Sequence, residues 1–289
     1  MILITGAAGK TGRAVIQALS RRGETLRALV HDPGQIQTVK ALGVHEVLVG
    51  DLLSRSALDE AFKDVHAVYH IPPNVNPDEV VIGKNMIDAA QSAGIEHFVF
   101  HSVLQPQIEA MPHHWKKLRV EEALLQSGLP FTILQPTAYM QNILAQWDNI
   151  IQRGSYSAPY PEETRLSMVD LEDVAQVAAT VLTEAGHAGA TYELVGEHAI
   201  SQIKVAAILS QKLNRPIQIT VTPLKDWEER ARASGLGDYQ VDTLIRMFRY
   251  YADYGFEGNS HVLNWLLGRP PRSFEDFVTR MVRERVSVA

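Results

Sequence analysis

The chain has no cysteine, so it carries no disulfide, no thiolate metal site and no cysteine nucleophile. It has no apolar run near the roughly 20 residues that a bilayer-spanning helix needs. It also lacks an excess of positive charge. Lys and Arg number 27 against 33 Asp and Glu, a net charge of -6, which gives no general attraction to nucleic acid or to an anionic membrane. No nucleic-acid-binding motif or basic stripe is present. The eleven histidines show no metal-ligand spacing such as H-E-x-x-H, and His113 and His114 are adjacent, which suits chelation poorly; no metal site is expected. There is no internal repeat, no low-complexity tract and no leader pattern ahead of the first apolar run, so a cytoplasmic protein is the expectation.

What is present is an ordinary globular composition, with 46% hydrophobic and 21% charged residues, in a chain long enough for one large domain or one domain and a smaller one. Strand-like and helix-like patterns alternate from the first residue. The short apolar runs "MILIT", "TLRALV", "EVLVG", "HAVYHI", "HFVFHS" and "FTILQP" suit strands covered on both faces. Helical spacing fills 13–22, 35–42, 54–62, 78–93, 113–126 and 138–152. Repeated β-α-β of this kind predicts an α/β fold with a doubly wound parallel sheet. The composition shifts after Arg153. Residues 153–169 read as turn-rich loop, 170–186 as a helix and "ATYELVG" as a strand returning to the main sheet. Helices are predicted over 202–213, 224–234, 241–253 and 273–285. The predicted division is a nucleotide-binding domain over 1–153 and a smaller, mostly helical C-terminal domain over 154–289, with 164–196 partly returning to the sheet and the C-terminal helices closing over its carboxyl edge.

The first strand-to-helix turn carries Gly6-x-x-Gly9-x-x-Gly12. A glycine at 6 permits a sharp turn off the strand, one at 9 leaves room for a pyrophosphate against the backbone, and one at 12 lets the helix pack close to the strand. The amino end of the helix then offers free N–H groups and partial positive charge to the phosphates. With a strand before it and a helix after it, this is the setting of a Rossmann dinucleotide site, and Gly6, Ala8, Gly9, Lys10, Thr11 and Gly12 are its candidate contacts. It is not a Walker A loop, because Lys10-Thr11 precede the last glycine.

The end of the second strand reads "LVHDP". If His31 sits at the adenosine ribose, it can donate to a 2′-phosphate; if Asp32 sits there, a free hydroxyl and NAD are favoured. Asp32 can also simply cap the next turn. The balance favours NADP(H) over NAD(H). Asp51 and Leu52, past the third strand, are expected beside the adenine, with capping of the next helix as the other role for Asp51. Ile71, Pro72 and Pro73, past the fourth, are expected along the cofactor, the prolines stiffening the loop.

The stretches "ITGAAGKTG", "LVHDP", "GDL", "NPDEVVIGKNMIDAAQSAGIEHFVFHSV", "VEEALLQSGLPFTILQPTAYMQN", "VDLEDVAQVAATVL" and "LLGRPPRSFEDFV" together resemble the NmrA-like family of atypical short-chain dehydrogenases/reductases over nearly the whole chain. The resemblance implies an NAD(P)-binding Rossmann domain with a small C-terminal domain. It also implies a mixed functional range, from quinone or other small-molecule reductases to redox sensors that bind the cofactor without turnover.

Short-chain dehydrogenases usually supply Tyr-x-x-x-Lys on a helix and a serine on the preceding strand, the i, i+4 spacing placing both helical side chains on one face. Here "HHWKK" keeps the lysine as Lys117 and puts His113 at the tyrosine position; Ser102 occupies the serine position. Lys117 also matches, by its distance to "SGLPFT", the lysine of the related isoflavone-reductase-like group. Lys117 is thus expected at the nicotinamide ribose, and His113 is a candidate proton donor that can equally be a plain residue of the first helical turn. Pro136 and the "QPTAYMQN" stretch leave the sixth strand toward the nicotinamide, making Pro136 a cofactor contact and Thr137, Tyr139, Met140 and Asn142 candidates for the substrate wall; core packing of the next element is the alternative for Tyr139 and Met140. Asp170 and Asp173 read as helix caps.

The expected activity is NAD(P)H-dependent hydride transfer to a small apolar acceptor such as a quinone, enone, carbonyl or imine, with a small-molecule substrate and no nucleic-acid or membrane partner, as a monomer or homodimer. Lys117 and Ser102 favour the enzyme. The missing tyrosine favours a non-catalytic nucleotide sensor acting through protein partners.

Overall fold

The computed structural model describes residues 1–286. In chain order, the first part runs β1 (Ile2–Ile4), α1 (Lys10–Arg21), β2 (Leu26–Val30), α2 (Ile36–Lys40), β3 (Glu46–Val49), α3 (Arg55–Ala61), β4 (Ala67–His70), α4 (Glu79–Ala93), β5 (His97–His101), α5 (Pro112–Gln126) and β6 (Phe131–Pro136). It continues with β7 (Ala138–Tyr139), α6 (Trp147–Arg153), β8 (Ser155–Ala158), β9 (Arg165–Val169), α7 (Leu171–Thr183), β10 (Ala190–Leu194) and β11 (Ala199–Ser201). The last elements are α8 (Gln202–Leu213), β12 (Gln218–Val221), α9 (Leu224–Ala233), α10 (Asp238–Tyr254), α11 (His261–Leu267) and α12 (Phe274–Val286). Among the described residues no helix is long and apolar enough to cross a membrane.

The main sheet has seven strands in the order β10-β6-β5-β4-β1-β2-β3. The pairs β1–β2, β1–β4, β2–β3, β4–β5 and β5–β6 are parallel. Strand order reverses at β1, between β2 and β4, which is the topological switch point where doubly wound sheets bind ligands. Every residue of β1, β2 and β4 is buried, as strands covered by helices on both faces must be. Below the sheet's carboxyl end the core of Leu3, Leu58, Val68, Met86, Phe98, Phe100, Val120 and Ile133 fixes α3, α4 and α5 against it. Gly83 has a packing reason: a Cβ there would lie 2.6 Å from both methyl carbons of Val120, so α4 and α5 approach closely only because it is glycine.

The chain divides into two compact units. One comprises Met1–Glu109, His113–Pro136 and Val174–Tyr192; the other comprises Ala110–Pro112, Thr137–Asp173 and the chain from Glu193 onward. The predicted boundary after residue 153 therefore falls inside the second unit, which takes over at Thr137. "ATYELVG" does supply β10 beside β6.

Within the second unit the predicted helix over 138–152 is broken up. Ala138 and Tyr139 pair in parallel with Met168 and Val169 of β9, residues 140–146 form 3-10 turns, and only 147–153 are α-helical. The loop predicted over 153–169 contains β8 and β9. Strand β8 pairs with β12 in parallel, and β9 pairs with β11 antiparallel. Local pattern misses these strands because each is short and its partner lies far along the chain. The unit's core gathers Met140, Trp147, Ile150, Val205, Ile208, Phe274 and Phe277.

Candidate functional site

The glycine turn is built by backbone demands that glycine alone meets. Gly6 has φ +60, and a Cβ on it would sit 3.0 Å from Ile71 Cβ and from the Ile71 carbonyl oxygen. Gly12, in the first turn of α1, is packed so tightly that a Cβ would fall 2.4 Å from the Gly6 carbonyl oxygen and 2.6 Å from Ala7 Cα. Gly9 differs: it is exposed, and a Cβ would meet only the Gly6 carbonyl oxygen, at 3.3 Å. Its N–H donates to that same carbonyl at 3.1 Å. Gly9 is the N-cap of α1, no side chain caps the helix, and its first turn contains no acidic residue. The positive end of this helix is therefore neutralised by nothing of its own. Ala8 is half-buried, Lys10 exposed and Thr11 buried.

Thr5 ties the turn to β4. Its Oγ1 accepts from Ile71 N–H at 2.9 Å and lies 2.9 Å from His70 Nδ1. The loop that follows holds Ile71 half-buried, Pro72 buried and Pro73 half-buried, and it contains Val75 at φ +46, a left-handed conformation that is costly for a β-branched residue. At the end of β2, His31 is exposed. The Asp32 carboxylate accepts from Gly34 N–H at 2.8 Å and caps the short turn after it. Asp51 makes a similar local turn with Leu53 N–H at 2.9 Å, while Ser54 caps α3. Leu52 is half-buried, and its carbonyl accepts from Asn85 Nδ2 at 3.4 Å.

Lys117 lies at the centre of a buried polar group in the first unit. Its Nζ donates to Glu79 Oε1 at 2.5 Å, with the lysine side chain 15% exposed and the glutamate 1%, and it stands 5.9 Å from the Phe100 ring centroid. Ser102, from the end of β5, is buried and donates its hydroxyl to Glu121, which also accepts from Gln135 Nε2 at 2.9 Å. Burial raises the Glu121 carboxyl above its ordinary range, against the pull of Ser102, Gln135 and Lys117. Tyr69 Oη and His101 Nδ1 are 2.6 Å apart. Burial, reinforced by the Lys117 charge, pushes both His70 and His101 down to about 3. His113, at the predicted tyrosine-equivalent position, is buried against His114. Burial, then the neighbouring His114 and Lys117, pushes it down to about 2, and among the described residues its Nδ1 has no hydrogen-bond partner. It is a neutral imidazole at physiological pH, with no readily given proton. Desolvation holds the ring neutral, a property that spacing along a helix does not reveal.

Pro136 is buried at the end of β6, its carbonyl accepting from Leu104 N–H at 2.9 Å. Of the four residues expected at the substrate, Thr137 is buried and donates its hydroxyl to the Ser167 carbonyl at 2.7 Å, and Met140 is 2% exposed within the second unit's core. Tyr139 is half-buried and Asn142 exposed. Asp170 does cap α7, accepting from Glu172 N–H at 3.0 Å, but it also accepts from Arg280 at 2.7 Å. Asp173 is an ion-pair anchor for Arg269, at 2.6 Å, and for Arg272, which gives the arginines of "LLGRPPRSFEDFV" a structural task. Glu79, Glu121 and Gln135 were not among the sequence candidates. Glu79 looks like any first-turn acid of a helix, and its partner is 38 residues away.

Residues 1–277 match the NmrA-like family. The chain belongs to the NmrA-like family. It is 35% identical to the (4-alkanoyl-5-oxo-2,5-dihydrofuran-3-yl)methyl phosphate reductase of Streptomyces griseus, over 96% of each chain. It is 29% identical to the NAD(P)H azoreductase of Xenophilus azovorans, again over 96% of each. Among solved structures, the NADPH-dependent quinone oxidoreductase of Escherichia coli complexed with NADPH is similar with a TM-score of 0.84 at 26% identity, covering 98% of this chain and 100% of that one. The seven-stranded Rossmann architecture agrees with that likeness.

Proposed function

We propose that this protein is an NAD(P)H-dependent oxidoreductase that passes a hydride to a small apolar acceptor such as a quinone, enone, carbonyl or imine. The observation that carries the proposal is the glycine turn. It leaves Gly9 open on its outer side and α1 without a side-chain cap or a first-turn acid, which fits a diphosphate laid against backbone N–H groups. Gly6, Ala8, Gly9, Lys10, Thr11 and Gly12 would hold that diphosphate. Asp51 and Leu52 would flank the adenine, and Ile71, Pro72, Pro73 and Pro136 would line the dinucleotide. Lys117, with Ser102 nearby in sequence pattern, would serve the nicotinamide end. NADP(H) is favoured over NAD(H), because the Asp32 carboxylate is engaged with Gly34 N–H and His31 is exposed beside it. When bound, the dihydronicotinamide supplies the hydride. The names of relatives, an azoreductase and a quinone oxidoreductase, support a reductase of this kind.

The side chains of this chain bind and orient; none of the named candidates is placed to be a strong acid. Ser102 gives its hydroxyl hydrogen to Glu121, and His113 is neutral. An acceptor whose reduced form takes its proton from water, as a quinone does, suits that set. Thr137, Tyr139, Met140 and Asn142 remain the substrate candidates.

The test is titration with NADPH and NADH, followed by a panel of quinones, azo compounds and enones with the absorbance of the reduced nicotinamide as readout. Saturable binding, tighter for NADPH, with oxidation by at least one acceptor class is expected. Tight binding without oxidation by any acceptor would instead favour the non-catalytic sensor, the alternative that the histidine at position 113 supports.

A further inference from the structure

We infer that Glu79 is a positioning residue: it fixes the Lys117 ammonium so that the two N–H donors left over are presented to the vicinal hydroxyls of the ribose beside the nicotinamide. This rests on the cofactor reading above. An ammonium has three donors and no acceptor. One is spent on Glu79 Oε1 at 2.5 Å, and among the described residues that carboxylate is the sole hydrogen-bond partner of Lys117 Nζ. The ring of Phe100, 5.9 Å away, offers a face and no acceptor. The other titratable groups that feel the Lys117 charge, each shifted mainly by burial, are His70, His101, His113, His114 and Glu121, and none of them accepts a hydrogen bond from it. Glu79 is buried whereas Lys117 is 15% exposed, so the ammonium is the end that a ligand reaches.

Stability does not account for the pair. Glu79 Oε2 is buried and has no partner among the described residues, so the acid is only half satisfied, and an apolar pair of similar volume would be no less stable. Glu79 opens α4, and the residue next to Lys117, Lys116, donates to the Pro77 carbonyl. Both lysines of the "HHWKK" segment thus bind residues 77–79 at the start of α4.

The experiment compares dinucleotides with their adenosine halves, by calorimetric titration of wild type, Glu79→Gln, Lys117→Met and the double variant. NADPH and NADH contain the nicotinamide ribose; 2′,5′-ADP and ADP do not. Glu79→Gln is expected to weaken the dinucleotides about tenfold, the scale of one charge-assisted hydrogen bond, and to leave 2′,5′-ADP and ADP unchanged. Because Glu79 acts through Lys117, adding Glu79→Gln to Lys117→Met is expected to cause no further loss. Unchanged dinucleotide affinity in Glu79→Gln, or equal loss for dinucleotides and adenosine halves, overturns the inference and leaves the cofactor reading standing. Wild-type protein that binds no dinucleotide overturns both. If Glu79→Gln alone does not fold, the double variant against Lys117→Met decides: equal affinity supports the inference, and a further tenfold loss overturns it.

Discussion

Asp170 and Asp173 in the second unit and Glu79 in the first are all buried carboxylates, yet their oxygens are satisfied in different ways. Asp173 accepts from Arg269, from Arg272 and from the Arg272 backbone N–H at 2.7 Å. Asp170 accepts from Gln141 at 2.7 Å, from the Glu172 backbone and from Arg280. Each acid closes on itself: every oxygen has a donor, and the donors come from segments the unit must hold together. Glu79 has one lysine on one oxygen and, among the described residues, no partner on the other, and that lysine's charge reaches four buried neutral imidazoles. A charge cluster serving only stability fills its lone pairs. One that leaves a cation with spare donors and an acid half paired is organised for something that comes and goes.

The largest effect expected from this contrast is on the pH dependence of stability, and it belongs to the first unit. His70, His101, His113 and His114 are lowered by burial from 6.5 to about 3, 3, 2 and 4. The unfolded chain therefore takes up protons below 6.5 that the folded chain refuses, and stability is lost as the pH falls. At pH 5 this reaches up to about 2 kcal/mol for each histidine. Glu121, raised by burial, has the opposite sign, contributing stability that fades as the pH rises, but it is one group against four. Urea denaturation at pH 7 and pH 5 is expected to show a clear fall in midpoint; a flat profile would mean that these imidazoles are not buried neutral.

Next in size is Asp173→Asn, which leaves two arginines without their anchor. Those arginines are half exposed and recover some hydration, so a loss of about 2–3 kcal/mol is expected in denaturant unfolding, with the affinity for NADPH unchanged. An effect on affinity but not on stability would reverse the roles assigned to the two clusters. Gly12→Ala follows, at about 1–3 kcal/mol from forcing a methyl group against backbone atoms 2.4 and 2.6 Å away; thermal unfolding reads it. The smallest is His31→Asp, expected to move the NADPH-to-NADH affinity ratio about tenfold toward NADH. An unchanged ratio would take His31 out of cofactor choice.

The glycine turn was visible in the sequence because its determinants are local. Gly6, Gly9 and Gly12 occupy seven consecutive positions, and the positive φ of Gly6 and the packing of Gly12 on Gly6 and Ala7 both arise within that stretch. The parallel strands were visible for the same reason, since burial on both faces makes each one a short apolar run. The Lys117 cluster was only half visible. Lys117 and Ser102 could be named by their spacing, but the partner that defines each, Glu79 and Glu121, lies 38 and 19 residues away, on elements brought close only by the fold. Spacing carries no information on the desolvation of His113, and the sequence after β6 does not show that β9 will pair with the segment that follows it.

The measurement that tests the account most directly is titration of wild type and Gly9→Ala with NADPH. A methyl group on Gly9 would stand 3.3 Å from the Gly6 carbonyl oxygen, a tight contact, and at a helix N-cap alanine costs about 0.5–1.5 kcal/mol relative to glycine. The account predicts a folded protein that loses about 1–2 kcal/mol of stability, with NADPH binding weakened at least about tenfold. Equal affinity in the two proteins would contradict it, because the diphosphate would then not lie against the turn between β1 and α1.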